Sequence, residues 1–338
     1  MKKIIILLLV LGLAGTASAG LTKAGSAGAQ FLKIGVGSKY QGMGEATAAT
    51  ANDVYAMYWN PAGLVEIENF AIGFTNVNWL LDIDLNYISA AKYFEDVGVF
   101  GISATVLSMD DQEITTFEQQ DGTGEYYSAS SYAIGLSYAR QLTARFAFGA
   151  TVKYVEEKID QERATGMAVD FGTVLYTGFR SLRLGMSISN LGPEMEFSGS
   201  DLEFSYNPTE DDTEGGGVGN DYVVGSELKT TSFDLPMTFR LGMAYDLEFG
   251  YNSIVTLAAD LKHPNDNEQQ GSLGAQFAYD DKYFLRGGYK INYDEETLSF
   301  GGGLVTSVGQ DTKMFIDYAW QDFGRLESTQ KFSIGFTF

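Results

Sequence analysis

One histidine, His263, stands in a chain of 338 residues that has no cysteine. A serine hydrolase would need that imidazole as its base, yet no G-x-S-x-G elbow supplies a nucleophile. Metal chemistry is left with hard oxygen ligands. The stretch "GGVGNDYVV" (residues 216–224) matches one calcium-binding nonapeptide repeat, with Asp221 inside it and Asp211, Asp212 and Glu214 just upstream. A single copy cannot stack into a β-roll, so a flexible acidic loop with at most weak Ca²⁺ affinity is expected, and no firm metal site. Asp82, Asp84 and Asn86 recur at every second position without the EF-hand glycine; on a strand they point one way, expected to be inward. Gly35 and Gly37 begin a dinucleotide-like run, but Tyr40 stands where the third glycine belongs. Neither an enzyme nor a cofactor is expected.

Charge narrows the partners. The formal net charge is -22, and no basic patch exists to neutralise phosphates, so nucleic acid is excluded. Lys2 and Lys3 precede an apolar run from Ile4 to Leu13, and Ala17-Ser18-Ala19 closes it. Residues 1–19 therefore read as a Sec signal peptide. No later apolar run approaches the ~20 residues of a membrane helix, so any membrane crossing must be made by strands.

The elements that position these residues are strands. In the terminal "KFSIGFTF", Phe332, Ile334, Phe336 and Phe338 alternate with Ser333, Gly335 and Thr337. Such alternation gives one wholly apolar face, and nothing downstream could cover it. From Phe70 onward alternating segments fall near 70–80, 83–94, 97–109, 126–141, 144–158, 163–177, 180–191, 235–247, 253–263, 270–280, 283–292, 297–307, 311–320 and 330–338. Tight links alternate with longer ones at 110–125, 159–162, 192–234, 264–269, 293–296 and 321–329. Short turns on one rim and long loops on the other predict an all-β fold, a fourteen-stranded antiparallel transmembrane β-barrel at residues 70–338 whose last strand pairs with the first. The apolar faces then meet outer-membrane lipid and lipopolysaccharide, with rings such as Trp79, Tyr93, Tyr293 and Trp320 in the interface girdles. Lys153, Asp170, Arg240, Asp260 and Asp317 fall on the lumen face. The pair Phe336 and Phe338 looks like the C-terminal sorting signal of outer-membrane barrels, read by the barrel-assembly machinery. A lumen this wide must be filled. Residues 20–69, rich in Gly and Ala, are expected to form an N-terminal hatch with short helices near 45–51 and 53–58, and the 192–234 loop is expected to be extracellular.

Within that segment, Pro61 ends a helical turn and Asn60 can bond local backbone. The motif formed by Phe31, Leu32, Gly42, Met43, Gly44, Glu45, Trp59, Asn60, Pro61 and Ala62 resembles the start of FadL-like outer-membrane proteins, and among them the PorV/PorQ branch. The resemblance is sharp over residues 30–64 and pattern-level elsewhere. It implies a fourteen-stranded barrel with a hatch, and a role in type IX secretion, docking or shuttling cargo near the translocon at the cell surface. The alternative it implies is FadL-like transport of long-chain fatty acids or another hydrophobic ligand. Within this sequence the two uses of the fold stay open.

Overall fold

The computed structural model describes residues 24–206 and 224–338. Its strands are β1 Phe70–Asn78, β2 Asp84–Phe94, β3 Gly98–Ser108, β4 Ala129–Thr143, β5 Phe146–Ile159, β6 Glu162–Tyr176 and β7 Arg183–Leu191. They continue with β8 Thr238–Phe249, β9 Ser253–Pro264, β10 Gln270–Tyr279, β11 Tyr283–Ile291, β12 Leu298–Ser307, β13 Lys313–Asp322 and β14 Ser328–Thr337. Each pairs antiparallel with its sequence neighbours, and β1 closes on β14 with Phe74 opposite Ile334. A closed sheet leaves no unpaired backbone edge for lipid to meet.

The alternation of residue types becomes an alternation of faces. On β14 Lys331, Ser333 and Gly335 are buried inside, while Phe332 is half exposed outside. Outward Ile88, Ile102, Leu136, Leu241, Leu285 and Phe300 are all exposed in the same way. In water that apolar belt would be costly; in a bilayer it is the solvated surface. His263 also projects outward, opposite Phe239, away from the lumen.

Four expectations need correction. The 159–162 link is a two-residue turn between β5 and β6, as tight as those on the other rim, because both strands extend farther than the sequence limits suggested. Asp84 and Asn86 face outward, since Leu85 and Tyr87 take the inner positions of β2; the Asn76 amide donates to Asn86 Oδ1 at 3.0 Å across β1 and β2. Residues 45–51 form turns, and the short helices fall instead at α1 Ser38–Gly42 and α2 Ala56–Trp59, with 3₁₀ turns at Gln30–Lys33 and Pro61–Glu66. Tyr293 lies over luminal lysines rather than in a girdle.

Besides a register shift between Gln141 and Thr143 beside the tight turn that joins β4 and β5, the wall is irregular between β6 and β7. Pairing of β6 with β7 shifts between Val169 and Phe171, and β7 ends at Leu191. Beyond it, Phe197–Ser198 rejoins β6 at Ala164 and Arg163. Met195, bridged to Phe233, covers the stretch between.

Candidate functional site

The lumen is filled by the hatch, and the predicted motif residues are what seat it. Phe31, Leu32, Gly42, Met43, Gly44, Glu45, Trp59, Asn60, Pro61 and Ala62 are all buried. Trp59 Nε1 donates to Val36 O at 2.8 Å, and the Tyr58 hydroxyl donates to Leu32 O at 2.8 Å, so two aromatic anchors fold the segment onto itself. Pro61 opens the 3₁₀ turn where its missing N–H costs nothing, and Asn60 Oδ1 caps that turn through Ala62 N at 3.2 Å. The Asn60 amide also donates to Ala48 O at 2.6 Å and to Thr173 O at 3.1 Å, joining two turns of the hatch to each other and to β6.

Wall side chains hold the hatch backbone. Asp260 on β9 accepts the Thr47 and Ala48 N–H groups, both at 2.7 Å. Ser299 Oγ accepts Gly44 N at 3.1 Å, and Ser333 Oγ accepts Ser38 N at 2.9 Å. The fit is close enough that a Cβ on Gly288 would lie 2.0 Å from Gly44 N, and one on Gly185 1.8 Å from Ala48 O. Glu45 stands in the left-handed region (φ 60) with its carboxylate 3.0 Å from Lys290 Nζ. Burial alone would raise the Glu45 carboxyl, but the ammonium groups of Lys290, Lys331 and Lys262 hold it down to about 2. Lys290 also pairs with Glu296 in the 292–297 loop, whose carboxylate accepts from Gln321 at 2.7 Å. Hatch, wall and loop thus meet at one lysine.

On the long-loop rim, Gln30 and Lys33 bond Asp266 at 2.8 and 2.9 Å. Burial would push the Asp266 carboxyl up, but these bonds keep it below the ordinary carboxylate range. A cavity of about 10 Å³ lies between Leu32, Tyr58, Lys153, Asn190 and Arg240. That is room for one water, and none for an acyl chain or an aromatic ring. Outside the barrel, Glu203–Tyr206 and Val224–Glu227 form a separate hairpin within the long loop. Asp211, Asp212, Glu214 and Asp221, singled out for Ca²⁺, lie outside the described residues. Phe338 packs its ring 5.5 Å from Phe70 at the closing seam, and Phe336 sits opposite Ile72.

Sequence reasoning missed Lys262, Arg286, Lys290 and Lys331 as lumen residues. The signal was present: each lies at an inward position of its alternating segment, Lys262 two after Asp260 and Lys331 two before Ser333.

The family model described as Type IX secretion system protein PorV matches residues 21–235 of the chain. Among solved structures, the Pseudomonas putida toluene transporter TodX superposes with a TM-score of 0.58 at 13% identity, covering 90% of this chain and 99% of that one. The Ralstonia pickettii toluene transporter TbuX gives 0.54 at 13%, over 89% and 97%. A Pseudomonas aeruginosa FadL homologue gives 0.53 at 14%, over 90% and 98%. At such identities these structures share the fold alone. No curated protein matches the sequence.

Proposed function

Because the chain belongs to the PorV family of type IX secretion system proteins, we propose that it acts as a cargo-docking or shuttling component at the outer surface of the cell. The barrel is of the Gram-negative outer-membrane type, and in this reading the short-turn rim, with Phe338, faces the periplasm. The long-loop rim then faces outward. Residues 109–128, 192–237 and 323–327 would form the docking surface for secreted cargo and the translocon. The filled lumen supports this most directly: with Asp260, Ser299, Ser333 and Glu45 all seating the hatch, no folded protein can pass through. Residues 1–19 would direct Sec export, Phe336 and Phe338 would be read by the barrel-assembly machinery, and lipid and lipopolysaccharide would cover the outward face.

The irregular β6–β7 seam favours a second reading, release of a hydrophobic compound sideways into the membrane. The one-water cavity behind it weighs against that in this conformation. The two readings separate on a deletion strain. Loss of secreted surface proteins, with those proteins co-purifying with the barrel from native membranes, is the expected result. An unchanged secretome with bound lipid alone would replace docking by transport.

A further inference from the structure

The two ends of the hatch lie at opposite rims. Residues 66–69 hand over to β1 on the short-turn rim, where Asn69 O accepts Tyr93 N at 2.7 Å and Phe70 stands against Phe338. At the other end, Ala24, Gly25 and Ser26 are exposed. From there residues 27–33 cross the long-loop rim and bond three separate parts of it. Gly28 N donates to Asp234 O at 3.0 Å, and Ala27 forms a parallel bridge with Asp234 in the 192–237 loop. Ala29 N donates to Glu157 at 3.0 Å, two residues before β5 ends. Gln30 and Lys33 both reach Asp266, between β9 and β10.

These contacts continue into the irregular seam. Phe233 lies against the Gly28 backbone, where a Cβ would come 2.3 Å from its ring. Phe233 and Met195 exchange both backbone hydrogen bonds at 2.9 Å. The Phe233 ring also packs 5.6 Å from Phe197, in the segment that rejoins β6. Met195 in turn fills the inner side of β6, 2.7 Å from where a Cβ on Gly166 would stand. Asn265 adds a second tie, donating to Leu235 O at 2.9 Å from the same link that carries Asp266. Fixing a long loop costs conformational entropy, and buried backbone groups need partners. Here the partners come from the start of the hatch.

We propose that residues 27–33 are a strap that closes the long-loop mouth of the lumen and holds the 192–237 loop over the β6–β7 seam. Residues 24–26, at its leading end, then stand in the surface that meets cargo, which rests on the docking reading with the long-loop rim outward. The docking surface is thereby shaped from inside the barrel. Releasing the strap requires loss of two backbone bonds and of the charge-assisted contact between Lys33 and Asp266.

The chain has no cysteine, so single substitutions report position without background. With a membrane-impermeant maleimide on intact cells, Ala24→Cys and Thr115→Cys should react, and Asn252→Cys on the short-turn rim only after lysis. Reaction of Thr115→Cys without Ala24→Cys overturns the strap and leaves the orientation standing. Reaction of Asn252→Cys without Thr115→Cys overturns the outward long-loop rim, and the docking reading with it. The strap is then decided on the purified barrel carrying Ala27→Cys and Asp234→Cys, since bridge partners lie within disulfide reach. A crosslink on oxidation supports the seat on the loop, and none overturns it. The hold on the loop is read by trypsin at Lys229, the one tryptic site in 192–237. Gln30→Leu with Lys33→Met should speed that cleavage ~10-fold, the loss of a charge-assisted bond, and Lys282→Ala should leave it unchanged. An unchanged rate in the double variant overturns the hold. Should that variant fail to assemble, the labelling and the crosslink decide in its place.

Discussion

The two sides of the lumen are built from different chemistry. On β1 to β6 the inner wall is mostly apolar or small, with Val77, Leu85, Tyr87, Ala133, Val155 and Ala168 buried against the hatch. Tyr58 meets Tyr87 edge-on at 6.4 Å, and Met57 fills the space beside Gly101. On β8 to β14 the inner wall carries Arg240, Asp260, Lys262, Arg286, Lys290, Asp317 and Lys331. The hatch answers each side in kind. Met57 and Tyr58 face the first wall, Trp59 lies under Arg240 of the second, and the glycine- and alanine-rich backbone from Gly42 to Ala49 is gripped by that second wall. Apolar packing tolerates small shifts; oriented N–H groups on a carboxylate do not. The first side holds the hatch by area and the second by position.

That comparison can be broken most severely at the backbone contacts. Gly288→Val on the second side should unseat the hatch and open a large conductance in planar bilayers, because the added carbons meet fixed backbone at Gly44. Gly101→Val on the first side should change conductance far less, since its neighbour is the flexible end of Met57, 2.5 Å from a Cβ. Equal effects at the two glycines would erase the distinction.

Next in size are an anchor inside the hatch and one in the second wall. Trp59→Ala should cost ~3–5 kcal/mol in denaturant unfolding, through lost packing and an orphaned Val36 carbonyl. Arg286→Leu should cost about as much, ~3–5 kcal/mol, by leaving Asp317 buried and uncompensated. Replacing both Arg286 and Asp317 by leucine should restore most of it, and no second change can do that for Trp59. A double variant as unstable as the single would show that the pair acts by geometry rather than charge.

Acid should loosen the second side alone. The Glu45 carboxyl is held at about 2 against an ordinary 4.5, so its contribution is whole above 4.5 and lost as pH falls toward 2. Hatch mobility, followed by hydrogen exchange at Gly44 to Ala48, is expected to rise in that window while Tyr55 to Trp59 stay protected. Uniform exchange along the hatch would contradict this. The smallest effect is expected outside both walls: Lys282→Ala removes an ion pair with Asp280 on the exposed short-turn rim and should leave the unfolding temperature unchanged.

Much of the barrel was legible because its signal is local. The period-two alternation of Met237, Phe239, Leu241 and Met243 needs no partner to be read, and closure of the last strand on the first followed from its apolar face. The motif residues of the hatch were legible too, since Trp59-Asn60-Pro61-Ala62 has a fixed local conformation. Less was legible where composition and register disagree. Asp84 and Asn86 are polar yet face outward, because the pleat of β2 is set by Leu85 and Tyr87 against the hatch. Residues 45–51 look helical by propensity, but Asp260 takes the Thr47 and Ala48 N–H groups, so only separate turns form, with Ala46 N returning to Met43 O and Ala51 N to Thr47 O.

The sequence by itself determined the strand periodicity, the lipid-facing belt and the segment that fills the lumen, because each is written in the types of neighbouring residues. Only the tertiary structure decided which charges meet. Glu45 and Lys290 are distant in sequence, as are Asp260 and Thr47, and Arg240 faces Lys262 only through the register of two strands. Alternation assigns a side chain to the inside of a barrel; its height and its neighbours across the lumen depend on how every strand is staggered against the next. Paired and unpaired cations carry the same letter in the sequence, and closure of the sheet around the hatch is what separates Lys290 from Lys331.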